Sequence, residues 1–189
     1  MPPRPSGELE GWPLDRLDEL PDGPWLVAHA RPRQEKLLSS VVRRLGTPCL
    51  LFLEQRTHTY VGKGVQVNHV PLMPGYVFVP GDSAMVRDNL YESGRLVRIL
   101  PVAHGGALRN DLIDLARLIT RGTGPLLVRP EIVAGRRVRL TRGSLAGLVG
   151  VVVRRRGHLH LVVNVHTLGT SVAVTCAAED AELPEEIEA

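Results

Sequence analysis

Aromatic side chains make up only 4% of the 189 residues, and there are two cysteines. Any core must therefore be built from Leu, Val, Ile and Ala, and each ring that is present is informative by its placement. Cys49 and Cys176 lie far apart in apolar contexts without a CxxC partner, a pattern of buried reduced thiols rather than of a disulfide or a metal centre. No apolar run approaches the roughly 18 residues of a membrane span, and MPPRPSGELEGW has no apolar core of the signal-peptide kind. The chain reads as cytoplasmic. Acidic residues are missing altogether from Ile132 to Ala178, while Arg136, Arg137, Arg139, Arg142, Arg154, Arg155 and Arg156 fall inside that stretch. The acidic end EDAELPEEIEA follows it. With a formal charge of +3 and a pI near 9.2, this segregation suits a surface facing a polyanion, or equally a solvated sheet face.

Catalytic constellations are missing too. Gly62-Lys63-Gly64 lacks the spacing and the Lys-Ser/Thr ending of a phosphate-binding loop, and reads as a hairpin turn. His158 and His160 alternate on one strand with no third ligand nearby in sequence. Nothing pairs a nucleophile with a base. The expectation is a protein that is no enzyme, with no catalytic residue, metal or cofactor.

What is there divides in two. Residues 1–23, rich in Pro, Gly and acid, read as a flexible arm on which Trp12 and Leu17 dock locally. Over 24–121, WLVAHA predicts a strand, and RPRQEKLLSSVVRRL places Leu37, Leu38, Val41, Val42 and Leu45 at helical spacing, with Pro32 in the first turn and Gly46 as the stop. Extended stretches follow: CLLFLEQ, THTYV, VQVNHV and GYVFV. DSAMVRDNLYES predicts a helix capped by Asp82, LVRIL a strand, and LRNDLIDLARLI a helix with Leu108, Leu112, Leu115 and Ile119 along one stripe. The order β-α-β-β-β-α-β-α implies an α/β sandwich with helices on a largely antiparallel sheet. Residues 122–131 read as a linker. From 132 to 184 everything turns to short strands, RRVRL, GLVGVVVRR, HLHLVVNV and TSVAVTC, with glycines at the bends, which predicts a small barrel. Residues 185–189 form an acidic tail. The fold class expected is α+β.

The segment GRRVRLTRGSLAGL, followed by VGVVV, resembles the KOW motif, and WLVAHARPRQE followed by PLMPGYVFV resembles the N-terminal module of the NusG family of transcription elongation and antitermination factors. The likeness covers about Pro24 to Pro184. It implies an NGN domain that grips the clamp helices of bacterial RNA polymerase and promotes processive elongation. It also implies a C-terminal KOW barrel that recruits partners such as Rho or a ribosomal protein, in a factor that works as a monomer without cofactor. The barrel departs from the family pattern: it lacks a GPF turn and an acidic residue before its first strand. That departure leans towards an operon-specialised, RfaH-like paralogue. A KOW-containing RNA-binding ribosome or assembly protein is the alternative.

By the same resemblance, Pro71, Leu72, Met73, Pro74 and Tyr76 line a hydrophobic depression for the polymerase coiled coil, with His29 as a pocket ring; Met73 and Tyr76 could instead pack in their own core. Prolines, a flexible Met and a Tyr would supply an apolar, adaptable floor for helix-in-groove docking. Arg31, Arg33, Arg43, Arg44 and Arg95 are candidates for contact with non-template DNA, although a solvated helix face explains the first four equally well. Arg87, Asp88 and Asn89 match loosely where specialised members reach across the polymerase cleft. The Gly and β-branched density of Gly143 to Val153 predicts that the barrel stays a barrel rather than refolding to helices.

Overall fold

The computed structural model describes residues 7–60, 64–122, 125–130, 136–155 and 158–176. The acidic tail, the first six residues, and the turn residues Gly62 and Lys63 lie outside them. The chain divides into two compact units, Gly7–Arg109 and one beginning at Asn110.

In the first unit, β1 (Gly7–Glu10), β3 (Leu51–Tyr60) and β4 (Gly64–Pro71) make one antiparallel sheet, in the order β1-β3-β4. A second sheet holds β5 (Tyr76–Pro80), β2 (Trp25–Ala30) and β6 (Leu96–Leu100), in the order β5-β2-β6. An isolated antiparallel bridge, Leu50 to Phe78, connects them. CLLFLEQ and THTYV, read apart, are one continuous strand. Its register with β4 runs from Leu53↔Pro71 to Tyr60↔Gly64, and the turn expected at Gly62-Lys63-Gly64 falls, but for Gly64, outside the described residues.

Helices α1 (Glu35–Arg44) and α2 (Ala84–Glu92) cover one face of this layer. Leu38 and Val42 of α1 and Val86 and Leu90 of α2 share a core with Leu26, Ala28, Ala30, Leu51, Leu53, Val77 and Val79. Strand alternation turns Trp25, Val27 and His29 to the other face. Val27 and Phe78 are fully buried there, and Phe78 meets Phe52 edge to face at 5.8 Å.

Three local expectations change. The arm is partly built in: β1 pairs with β3 from Gly7↔Glu54 to Glu10↔Leu51, and Leu17 and Leu20 are buried. Arg109 secures the segment by donating to the carbonyls of Leu20 and Asp18. Helix α1 starts at Glu35, not at Pro32, because Arg33 takes a left-handed φ of 62° that no helix continues. Asp82 does not cap α2; Ser83 occupies that position, and the Asp82 carboxylate is turned to Arg87.

The second unit takes α3 (Gly105–Arg121) from Asn110 onward, together with β7 (Leu127–Pro130), β8 (Arg136–Arg139), β9 (Val149–Arg155), β10 (His158–Val165) and β11 (Thr170–Cys176). Its strands are antiparallel in the order β7-β11-β10-β9-β8. Two points differ from the expected boundaries. The division falls inside α3 rather than at 122–131, and part of the expected linker is strand β7 on β11. The stripe of α3 is wide, with Leu112, Ile113, Leu115, Ala116, Leu118 and Ile119 all buried, so this helix needs cover on most of its circumference. Its Asp111 also accepts the backbone N–H of His166 at 3.0 Å. In the Gly- and Val-rich stretch the residues from Gly143 to Leu148 form a turn and strand β9 runs from Val149, with no helix between; Gly150 is needed for close approach, since a Cβ there would sit 2.5 Å from the Val162 carbonyl oxygen.

Candidate functional site

The turn joining β4 to β5 is built by prolines and one glycine. Pro71 and Pro74 fix their own φ and supply no donor. Two of the other N–H groups bond inside the unit: Leu72 donates to the Phe52 carbonyl at 2.8 Å and Tyr76 to that of Met73 at 3.3 Å. Gly75 is at φ +91°, a conformation that suits glycine. Its N–H donates to Glu35 Oε1 at 2.9 Å, and its carbonyl accepts from Ala30 N–H at 2.7 Å. A Cβ on Gly75 would lie 2.9 Å from Cδ2 and 3.0 Å from Nε2 of His29.

That bare position lets the His29 ring settle against the turn and stack on Tyr76, with centroids 5.2 Å apart and planes 19° from parallel. The two residues are register partners across β2 and β5, so their side chains share one face. Both rings are half-buried, and Pro74 is exposed beside them. Leu72 and Met73 are different. They are only 3% and 4% exposed, turned into the unit's own interior rather than offered as the floor of a docking surface. The reason is geometric: with β4 ending on Phe52 and the turn closing at Tyr76, the two residues between the prolines fall on the inner side. The surface presented is thus His29, Tyr76, Pro74 and part of Pro71.

Charge gathers at the same end. Arg31 N–H donates to the Arg95 carbonyl at 2.7 Å, and the Arg95 guanidinium donates to Gln34 Oε1 at 2.7 Å. Arg31 and Arg33 are exposed, as is Arg98, the register partner of His29 on β6. Arg31, Arg33 and Arg98 make no ion pair among the described residues, which leaves their charge free for a phosphate. Arg98 was not legible in the sequence, because LVRIL does not say which strand it will lie beside. Nor was Glu35: the stripe read in the sequence ran through Leu37, Leu38, Val41, Val42 and Leu45, whereas Leu37 is exposed and the buried face of α1 is Glu35, Leu38, Ser39 and Val42.

The other predicted residues lie elsewhere. Arg43 and Arg44 are at the far end of α1, about 13 Å along at 1.5 Å per residue, and Arg43 is paired with Glu10 at 2.7 Å. Arg87 is held by Asp82, which keeps that carboxyl below its usual range chiefly through the hydrogen bond from the guanidinium. Asn89 donates to the Met85 carbonyl at 2.9 Å, and Asp88 is exposed. Arg87 and Asp82 flank a cleft of about 380 Å³ lined also by Pro24, Trp25, Ile99 and Pro101. Trp25 pairs with Pro80, and His29 with Tyr76, at opposite ends of β2, so the cleft and the ring stack are separate features.

The solved structures similar to this chain include two that share most of its length. One, on domain interaction in Thermotoga maritima NusG, is 17% identical with a TM-score of 0.43, covering 85% of this chain and 97% of its own. The other, the MjSpt4:Spt5 complex in conformation B, is 14% identical with a TM-score of 0.28, covering 88% of this chain and 100% of its own. No family model matches, and no curated protein does. At these scores the fold stands on its own strand order and register. Among the described residues no group of three or more His, Cys, Asp or Glu could hold a metal ion. What the arrangement offers is a fixed aromatic step with a proline lip, beside which Arg31, Arg33 and Arg98 carry charge without an ion pair among the described residues.

Proposed function

We propose that the chain is a non-enzymatic transcription elongation factor of the NusG kind that docks on the clamp helices of bacterial RNA polymerase through the His29–Tyr76 stack. The observation that carries this reading is the stack itself, held on a turn whose backbone is tied on both sides by Glu35 and Ala30. A helix needs a flat, partly apolar step with polar edges, and a Tyr on a His beside an exposed Pro supplies one. Arg31, Arg33, Arg95 and Arg98 would run along the non-template strand. Arg43 and Arg44 drop out of that contact. Leu72 and Met73 act from beneath, as support.

Arg87, Asp88 and Asn89 would make the contact across the cleft, and the barrel would recruit Rho or a ribosomal protein. The operon-specialised reading remains part of the proposal, on the barrel's missing GPF turn. The test is an elongation complex assembled on a nucleic-acid scaffold. The wild-type chain is retained and shortens pauses; Tyr76→Ala loses both effects. Arg31→Ala with Arg98→Ala weakens retention and flattens its salt dependence. Wild-type protein washing off the complex, with pauses unchanged, would refute the proposal.

A further inference from the structure

Glu35 is the only charged residue that is buried among the described residues, at 4% exposure. No cation pairs with it there. A buried carboxylate is unfavourable unless it is hydrogen-bonded, and the bond it makes goes to one atom, the amide of Gly75 at 2.9 Å. Its place in the first turn of α1 helps, because helix N–H groups carry partial positive charge.

The residues next to that bond are the two rings. Gly75 precedes Tyr76, and the Gly75 carbonyl takes the N–H of Ala30, which follows His29. A strand irregularity between His29 and Ala30, where the β2–β6 register shifts, leaves this corner without the full support of a regular ladder. Glu35 therefore reaches from the helix layer through the sheet's end and fixes the backbone at the point where the two stacked side chains diverge.

We infer that Glu35 is the positioning residue of the docking turn: acting through Gly75, it sets the angle at which His29 and Tyr76 are presented to the partner. This rests on the docking reading above. Without the carboxylate, the Gly75 N–H is a buried donor lacking its acceptor, and the turn relaxes by rotating that peptide, which moves Tyr76 relative to His29.

The experiment uses the full chain with Glu35→Ala, Glu35→Gln, Tyr76→Ala and the double variant Glu35→Ala with Tyr76→Ala. Affinity for purified RNA polymerase is measured, and the ring-current shifts of His29 and Tyr76 are read by NMR in the free protein. Glu35→Ala is expected to weaken binding about tenfold and to move both ring signals, whereas Glu35→Gln, which keeps an acceptor, stays within about twofold. The double variant binds no more weakly than Tyr76→Ala alone, because Glu35 acts through the ring. If Glu35→Ala does not fold, Glu35→Leu fills the same space without an acceptor and carries the same expectation. Strictly additive losses, or ring signals unmoved in Glu35→Ala, overturn the positioning role. Tyr76→Ala binding like wild type defeats the docking reading instead, so the two failures are told apart.

Discussion

Replacing Gly75 by alanine separates two effects that usually come together. Gly75 and Gly81 share a φ of +91°, but a Cβ on Gly81 meets nothing within 4 Å, whereas one on Gly75 meets the His29 ring at 2.9 and 3.0 Å. Both substitutions carry the backbone penalty of a left-handed L-residue, about 1–2 kcal/mol. Only Gly75→Ala must also push the imidazole off Tyr76, forfeiting a ring contact of about 0.5–1.5 kcal/mol. The backbone penalty being common to both, Gly75→Ala should destabilise the chain by about 1 kcal/mol more than Gly81→Ala, the middle of the ring-contact range. Urea unfolding of both variants beside wild type reads the difference as a further drop in midpoint at unchanged slope. NMR of the His29 and Tyr76 rings supplies the second readout: shifted in Gly75→Ala, native in Gly81→Ala. Equal losses in the two variants, with the ring signals unmoved, would refute the idea that the bare α-carbon of Gly75 is what lets the stack form.

Three further outcomes follow from the packing and the charges. Gly150→Ala brings a Cβ to 2.5 Å from the Val162 carbonyl, a backbone atom that cannot swing aside, and should lower stability by about 1–3 kcal/mol in a thermal melt. The Asp82 carboxyl, held low by the Arg87 hydrogen bond, contributes stability that is complete above the ordinary carboxylate range and is lost as pH falls through its lower native value. A carbon-detected NMR titration should find it depressed in wild type and restored in Arg87→Ala. Burial pushes the Cys49 thiol up, against a smaller opposing effect of the Ser39 hydroxyl. Its thiolate is therefore scarce at neutral pH, and an aromatic disulfide reagent should label it only after unfolding, with Cys176 reacting first.

Much of the architecture is legible because period and punctuation agree. TSVAVTC is strand β11 from its first residue to its last, and the β-α-β-β-β-α-β-α order appears as read. Edges are where local reading gives way. Gly7–Glu10 carries too little apolar patterning to announce a strand, and it becomes one because β3 offers an open edge. Leu127–Pro130 is captured by β11 in the same way, despite its prolines and glycines nearby. At the site, the turn chemistry of PLMPGY shows where the chain must bend, and Gly75 shows why. It does not show which way Leu72 and Met73 will face, since that depends on β4 ending against Phe52. The gathering of Arg31, Arg95 and Arg98 depends likewise on a pairing between strands some seventy residues apart.

The central claim is that the His29–Tyr76 step is a docking surface for the transcription machinery, and equilibrium titration of purified bacterial RNA polymerase with the full chain tests it most directly. Interface anchors of this kind usually contribute more than about 1 kcal/mol, so Tyr76→Ala should bind at least about fivefold more weakly while Arg44→Ala, at the far end of α1, binds as wild type. Saturable binding with that ordering is the predicted result. Absence of binding by the wild-type chain, or equal affinities for wild type and Tyr76→Ala, would contradict it.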